Sequence, residues 1–278
     1  IFVLTDEMFN SERGISVAEV EFPLYYNFYL RRRKTYLICR REQFAQIMAV
    51  LQESLFGPAE LDIRQDCTPG ARRMLNFDFL PEGYVPDIAS EMAHFRAGRK
   101  LSDLLKVGFF EHDRFQIKGL TIERVDGDGF RVLRDDAVMA EVPGRVDYHA
   151  RFKIGSRLPE PYHPPLFGIT CLGPSHGFDP DENTSGFIIW LNHQGVMVDP
   201  PVNSTEWLES SNVNPKMIDS IVLTHCHADH DAGTFQKIME EGKVTVYTTQ
   251  TVMMSFLRKY SALTNIAVND LLKLFNFH

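Results

Sequence analysis

The sequence predicts a mixed fold in two parts: an α/β layered unit over residues 167–278, preceded by a separate α+β domain over residues 1–157. Two observations carry this. From about Gly186 onward, strand-length apolar runs alternate with helical patterns, as in a layered sheet with its site at the carboxyl ends of strands. Between the parts, Leu158-Pro159-Glu160-Pro161-Tyr162-His163-Pro164-Pro165 is too rich in proline for a helix or a central strand, so residues 158–166 read as a linker.

In the first part, Leu24–Leu30 and Lys34–Cys39 have strand composition. Arg41 to Phe56 places Phe44, Ile47, Met48, Leu51 and Leu55 on one helical face and stops at Gly57-Pro58. Ile88 to Val107 suggests a second helix, weakened by Gly98. Leu120–Val125 and Phe130–Leu133 flank Asp126-Gly127-Asp128-Gly129; that run lacks the further acids of a calcium loop and reads as a hairpin turn. In the second part, Gly186–Leu191 and Val196–Pro200 form a hairpin around Asn192–Gly195. Asp231–Glu241 should be a helix ended by Gly242, Val244–Tyr247 a strand, and Thr251–Tyr260 and Val268–Phe277 helices.

Composition limits the function. A net charge of −8 argues against a nucleic-acid binder held by a basic face. The run Arg31-Arg32-Arg33-Lys34 reads as an exposed turn, with an acidic ligand or lipid as the alternative. Four cysteines (Cys39, Cys67, Cys171, Cys226) show no paired spacing, and neither a signal peptide nor a long apolar span is visible. These features point to a reducing, cytoplasmic setting with no membrane contact. The sequons at Asn183 and Asn203 would matter only after secretion.

Chemistry concentrates in Thr224-His225-Cys226-His227-Ala228-Asp229-His230-Asp231-Ala232-Gly233, which follows the apolar run Ile221–Leu223. Crowded ionisable groups are costly unless a cation compensates them, and neutral imidazole with carboxylate is a divalent-metal donor set. His225 and His227, at i and i+2, point to one side of an extended chain, whereas Asp229 and His230 follow where the chain turns. This spacing suits two ions roughly 3.5–4 Å apart. Cys226 should alternate away from the site. A structural zinc site would use cysteines at C-x-x-C spacing, which the sequence lacks.

His-x-His-x-Asp-His followed by x-x-Gly resembles the signature of the metallo-β-lactamase fold superfamily of metallohydrolases. The resemblance extends back to about Phe167, and it implies an αββα sandwich of which 167–278 would be the amino-terminal half, the carboxyl-terminal half being absent. By that match His225 and His227 serve a first ion and Asp229 and His230 a second. The ions are expected to be zinc, with iron or manganese as alternatives, and they lower the pKa of a bound water toward 7. Asp229 is the candidate catalytic carboxylate, and Asp199 would orient a metal-bound histidine. Asp231 and Gly233 read as turn and helix-start residues, and His176 as a surface-loop residue or a lining of the cleft. The further ligands of such sites are not visible downstream: His278 ends the sequence and Asp270 sits in a helical pattern, so further domains or another chain would complete the site.

The motif together with Ser255–Tyr260 is similar to hydrolases fused to cyclic-nucleotide-binding domains, which favours a small-molecule phosphodiester substrate. Thioester hydrolysis is one alternative, and a catalytically incomplete scaffold or regulatory module is another. No family is recognised in 1–157.

Overall fold

The computed structural model describes residues 1–16, 19–57, 99–125, 129–145, 147, 149, 154, 157–179 and 181–278. A six-stranded sheet carries the candidate metal segment. Its strands stand in chain order: β10 (Phe167–Gly173), β11 (Gly186–Leu191), β12 (Gln194–Val198), β13 (Ser220–Val222), β14 (Thr245–Tyr247) and β15 (Asn276–Phe277). The first three strands pair antiparallel and the last three join in parallel, so the sheet changes character at β12–β13. Parallel neighbours need crossover connections, and helices supply them. They are α4 (Ser204–Ser210), α5 (Ala228–Glu241), α6 (Gln250–Thr264) and α7 (Val268–Leu271).

The amino-terminal elements are β1 (Phe2–Val3), β2 (Phe9–Asn10), β3 (Ile15–Ser16), α1 (Glu21–Tyr25), β4 (Thr35–Cys39) and α2 (Arg41–Leu51). Then come α3 (Leu101–Leu104), β5 (Leu105–Phe109) and a four-stranded antiparallel meander, β6 (Arg114–Ile117), β7 (Leu120–Val125), β8 (Gly129–Arg134) and β9 (Ala137–Val142). β1, β4 and β5 form a small parallel sheet.

Packing crosses the division expected at 158–166. One buried cluster includes Leu4, Leu24, Leu37, Ile47 and Leu51 together with Trp190, Ile221, Phe235, Phe256 and Tyr260. Helix α2 lies against α6 and, through the π-helical turn Gln52–Phe56, ends in a buried ionic lock: Glu53 accepts from Ser255 Oγ at 2.5 Å and from Arg258 Nε at 2.9 Å. The meander has its own small core of Ile117, Ile122 and Phe130 around Ile38.

Three expectations are corrected. Leu24–Leu30 is helical, as the end of α1 and the π-helical turn Tyr26–Leu30: its Tyr and Phe residues favour strands only weakly, and packing on the core overrides that preference. Val107 lies in β5 and not in a helix; residues 88–98 of that expected helix, the turn residues Asp126–Asp128 and Cys67 fall outside the described residues. Val268–Phe277 is a single helical turn followed by the edge strand β15. Helix α5 also begins earlier than expected, at Ala228, so Asp229 and His230 occupy its first turn. Among the described residues no helix is long and apolar enough to cross a membrane.

Candidate metal centre

β13 ends at Val222, and the chain stays extended through His227, the residue that precedes α5. This extended stretch sets His225 and His227 side by side, with His225 Nε2 and His227 Nδ1 3.1 Å apart. Cys226 alternates inward and sends its thiol to the Val252 carbonyl oxygen at 3.4 Å. The first turn of α5 then brings His230 over His225, ring centroids 4.1 Å apart.

The donor atoms form two sets, each with all its atoms within 4.8 Å of one another: Asp199, His225 and His230; and Glu21, His227 and Asp229. This differs from the grouping drawn from the sequence in two ways. His225 and His227 fall into different sets. Glu21, from α1, joins the second set, and nothing in the sequence near it signals that role.

Asp199 is held at φ 43°, a left-handed backbone conformation that is uncommon for a residue other than glycine, just after β12. Its carboxylate accepts the Thr224 N–H at 2.8 Å and the Thr224 hydroxyl at 2.5 Å, and contacts His230 Nδ1 at 3.0 Å. Burial raises the Asp199 pKa, but the bonds from His230 and Thr224 outweigh burial and hold it below the ordinary value. The same contact raises the His230 pKa. Burial and the neighbouring imidazoles lower the pKa of His225, and bring that of His227 down to about 4, so both rings are neutral donors at pH 7.

Behind the motif lies a buried charge network. Lys259, fully buried, contacts Asp231 Oδ1 at 3.0 Å, Glu19 Oε2 at 3.4 Å and the Cys226 carbonyl oxygen at 3.4 Å. Tyr260 donates to Asp231 Oδ1 at 3.0 Å. Glu21 is 4% exposed and accepts the Ala228 N–H at 3.2 Å. The N-terminus of α5, with its positive potential, therefore holds a carboxylate of the chain itself. Burial raises the Glu21 pKa well above the ordinary carboxylate value, against the pull of Lys259. Three carboxylates, Glu19, Glu21 and Asp231, thus face one ammonium. A divalent cation held by Glu21, His227 and Asp229 would supply the missing positive charge, so the donor set fits a metal.

The glycine that closes the motif has a packing reason. A Cβ on Gly233 would lie 2.0 Å from the Pro200 carbonyl oxygen and 2.4 Å from that of Pro201, so only glycine lets α5 seat against the segment carrying Asp199. Gly177 similarly lets its loop approach Asp229, but His176 accepts the Phe178 N–H at 3.2 Å and belongs to neither donor set. His278 stacks on Tyr247 at 5.5 Å and also lies outside both sets, and Asp270 pairs with Lys273.

A mixed sheet with helical crossovers thus carries two carboxylate–imidazole donor sets beside the end of a central strand. Residues 179–271 match the family model of the Metallo-beta-lactamase superfamily, and this part of the chain is a domain of that superfamily. The chain is 28% identical to a cGMP-dependent 3',5'-cGMP phosphodiesterase A of Dictyostelium discoideum, over all of this chain and 46% of the relative. It is 30% identical to a cAMP/cGMP-dependent 3',5'-cAMP/cGMP phosphodiesterase B of the same organism, over 93% of this chain and 29% of the relative. The chain therefore spans less than half the length of either curated relative. No solved structure matches it.

Proposed function

We propose that this domain is a metal-dependent hydrolase of phosphodiesters, with a 3′,5′-cyclic nucleotide as substrate and two zinc ions as cofactor. The observation that carries the reading is the pair of adjacent three-residue donor sets, Asp199–His225–His230 and Glu21–His227–Asp229. Three protein donors per ion leave coordination positions free for water and substrate, as catalytic sites require. The bound ions would activate water near neutral pH and polarise the phosphoryl oxygens. Asp199 fixes the His230 ring, and Asp229, partly exposed at the head of α5, accepts the proton of the attacking water at its carboxylate. The names of both relatives favour a phosphodiester over a thioester. In this proposal residues 1–56 are a structural part of the metal-bearing unit through Glu21, and the meander β6–β9 is the portion that stands apart.

The test is zinc content together with hydrolysis of cyclic AMP and cyclic GMP by the zinc-loaded chain, alongside His227→Ala. Two equivalents of zinc and turnover lost by at least 100-fold in the variant are expected. Less than one equivalent of zinc, or turnover unaffected by His227→Ala, defeats the reading. Metal binding without turnover would favour the non-catalytic module.

A further inference from the structure

The basic run Arg31–Lys34 takes no part in the metal centre, yet its last two residues line a surface pocket of about 520 Å³ together with Tyr36, Lys106 and Lys118. None of the five belongs to either donor set. Separate elements bring the cations together. Arg33 and Lys34 lead into β4, and Lys106 stands on β5, in parallel register with Tyr36. Lys118 sits at the tip of the β6–β7 hairpin. Tyr36 is the hub, with Lys118 Nζ 4.8 Å and Lys106 Nζ 5.4 Å from its ring centroid.

All four cations are exposed, and among the described residues none pairs with a carboxylate. Lys34 Nζ reaches the Ser102 carbonyl oxygen at 3.3 Å, and the adjacent Asp103 turns instead to the Lys100 N–H at 2.9 Å. On the meander Arg114, Arg124 and Arg131 each meet a carboxylate. The chain carries 37 acidic against 29 basic residues, so four cations gathered without an acid run against its balance. Lys118 is the clearest departure. Its φ of 52° places it, with Gly119, in a two-residue turn that asparagine, aspartate or glycine ordinarily fills. Turn chemistry therefore does not account for a lysine at this position.

We infer that this pocket binds a compact anion bearing clustered phosphates, either a soluble ligand or the headgroup of a lipid. Four positive charges converge on a volume within the ~300–1,000 Å³ usual for small-molecule sites. A single carboxylate would leave most of that charge unmet, whereas one phosphomonoester brings about −1.5 to −2 and three acceptor oxygens. Two such groups match the four cations. The Arg33 guanidinium can grip a phosphate with two parallel N–H bonds, and the lysines act as point charges beside it. The Tyr36 hydroxyl makes no hydrogen bond among the described residues and is free to donate as well.

The experiment measures binding of inorganic pyrophosphate to the full chain by calorimetry. In parallel, the chain is sedimented with phosphatidylcholine vesicles that hold or lack phosphatidylinositol bisphosphate. Wild type is compared with Lys118→Gln and with Lys106→Gln/Lys118→Gln. Both lysines are exposed, so the variants should fold as wild type does, which circular dichroism and thermal unfolding verify. Wild type should bind in at least one assay, Lys118→Gln about 10-fold more weakly and the double variant about 100-fold, with added salt weakening every case. Lysine-dependent binding of pyrophosphate alone upholds the site with a soluble ligand. Lysine-dependent sedimentation with the bisphosphate vesicles upholds it with a headgroup. The assignment is overturned if neither probe binds, or if the variants bind as tightly as wild type, the result expected for pyrophosphate held at the metal centre. A glutamate-rich peptide that binds more tightly than either probe would overturn it as well.

Discussion

Lys259 Nζ lies 3.0 Å from Asp231 Oδ1, and both residues are wholly shielded from solvent. Burial pushes Asp231 up to about 6 despite the ammonium beside it, and three carboxylates hold Lys259 protonated against its own burial. Lys259 also reaches the carbonyl oxygen of Cys226, between the two histidines, so the pair braces the ligand segment from behind. Removing one member leaves a buried charge uncompensated. Lys259→Met should cost about 3–5 kcal/mol in urea denaturation. The double variant Lys259→Met/Asp231→Asn should lose less than the two single variants added together. Strict additivity would mean that the two groups do not interact.

The Asp199–His230 contact predicts a different phenotype. Asp199→Ala removes the acceptor of His230 and of both Thr224 bonds. Loss of a carboxylate that belongs to the donor set and also holds His230 should lower metal affinity by at least the about 10–100-fold typical of an orienting partner. Competition between the protein and a zinc chelator measures this. An affinity within twofold of wild type would show that Asp199 orients nothing.

Gly233→Ala tests the close approach of α5. Its new methyl group would meet the carbonyl oxygens of Pro200 and Pro201, which are backbone atoms and cannot swing aside. Overpacking of this kind costs about 1–3 kcal/mol and displaces the ligand-bearing turn. Chemical denaturation and zinc affinity should therefore worsen together. A variant as stable as wild type would show that the segment carrying Asp199 can retreat at little cost.

Cys39 supplies a pH prediction remote from the metal centre. Its thiol is fully buried in β4, and burial raises its pKa from 9.0 to about 11. Between those values the unfolded chain has released the proton while the folded chain keeps it, so folding stability falls as pH rises. The contribution is complete below about pH 9 and disappears progressively through pH 11. Stability curves for wild type and Cys39→Ala should diverge least at high pH. A difference between them that stays constant from pH 8 to 11 would refute the shift.

The legible parts of this protein were local. Alternation in Gly186–Leu191, the turn Asn192–Gly195 and the helical faces of α2, α5 and α6 are near-neighbour patterns, and each lies close to where its pattern puts it. The histidine segment was visible for the same reason, since His225, His227, Asp229 and His230 are compact in sequence. What could not be read depends on distant contacts. Glu21 is one acid in an ordinary apolar stretch, and only the seating of α1 beside Ala228, 207 positions away, brings it to the site. The proximity of His230 to His225 could not be read either, because spacing along a strand shows which rings share a face, whereas the first turn of α5 decides which rings meet. The strand expected at Leu24–Leu30 failed because burial of Leu24 in the common core overrode local preference.

Glu21 therefore carries the sharpest test of the centre. Without a metal its carboxylate faces Glu19 and Asp231 in a buried setting, with Lys259 the charge that opposes them. Glu21→Gln keeps the shape and replaces an acid that burial, Glu19 and Asp231 already push toward its neutral form, so the metal-free variant should match or exceed wild type in thermal stability. Metal reverses the sign, because an ion held by Glu21, His227 and Asp229 needs that negative charge. Zinc content should then fall from two equivalents to one, and the stabilisation gained on adding zinc should shrink. Retention of two equivalents at wild-type affinity would remove Glu21 from the donor set and assign its place to water or to another segment of the chain.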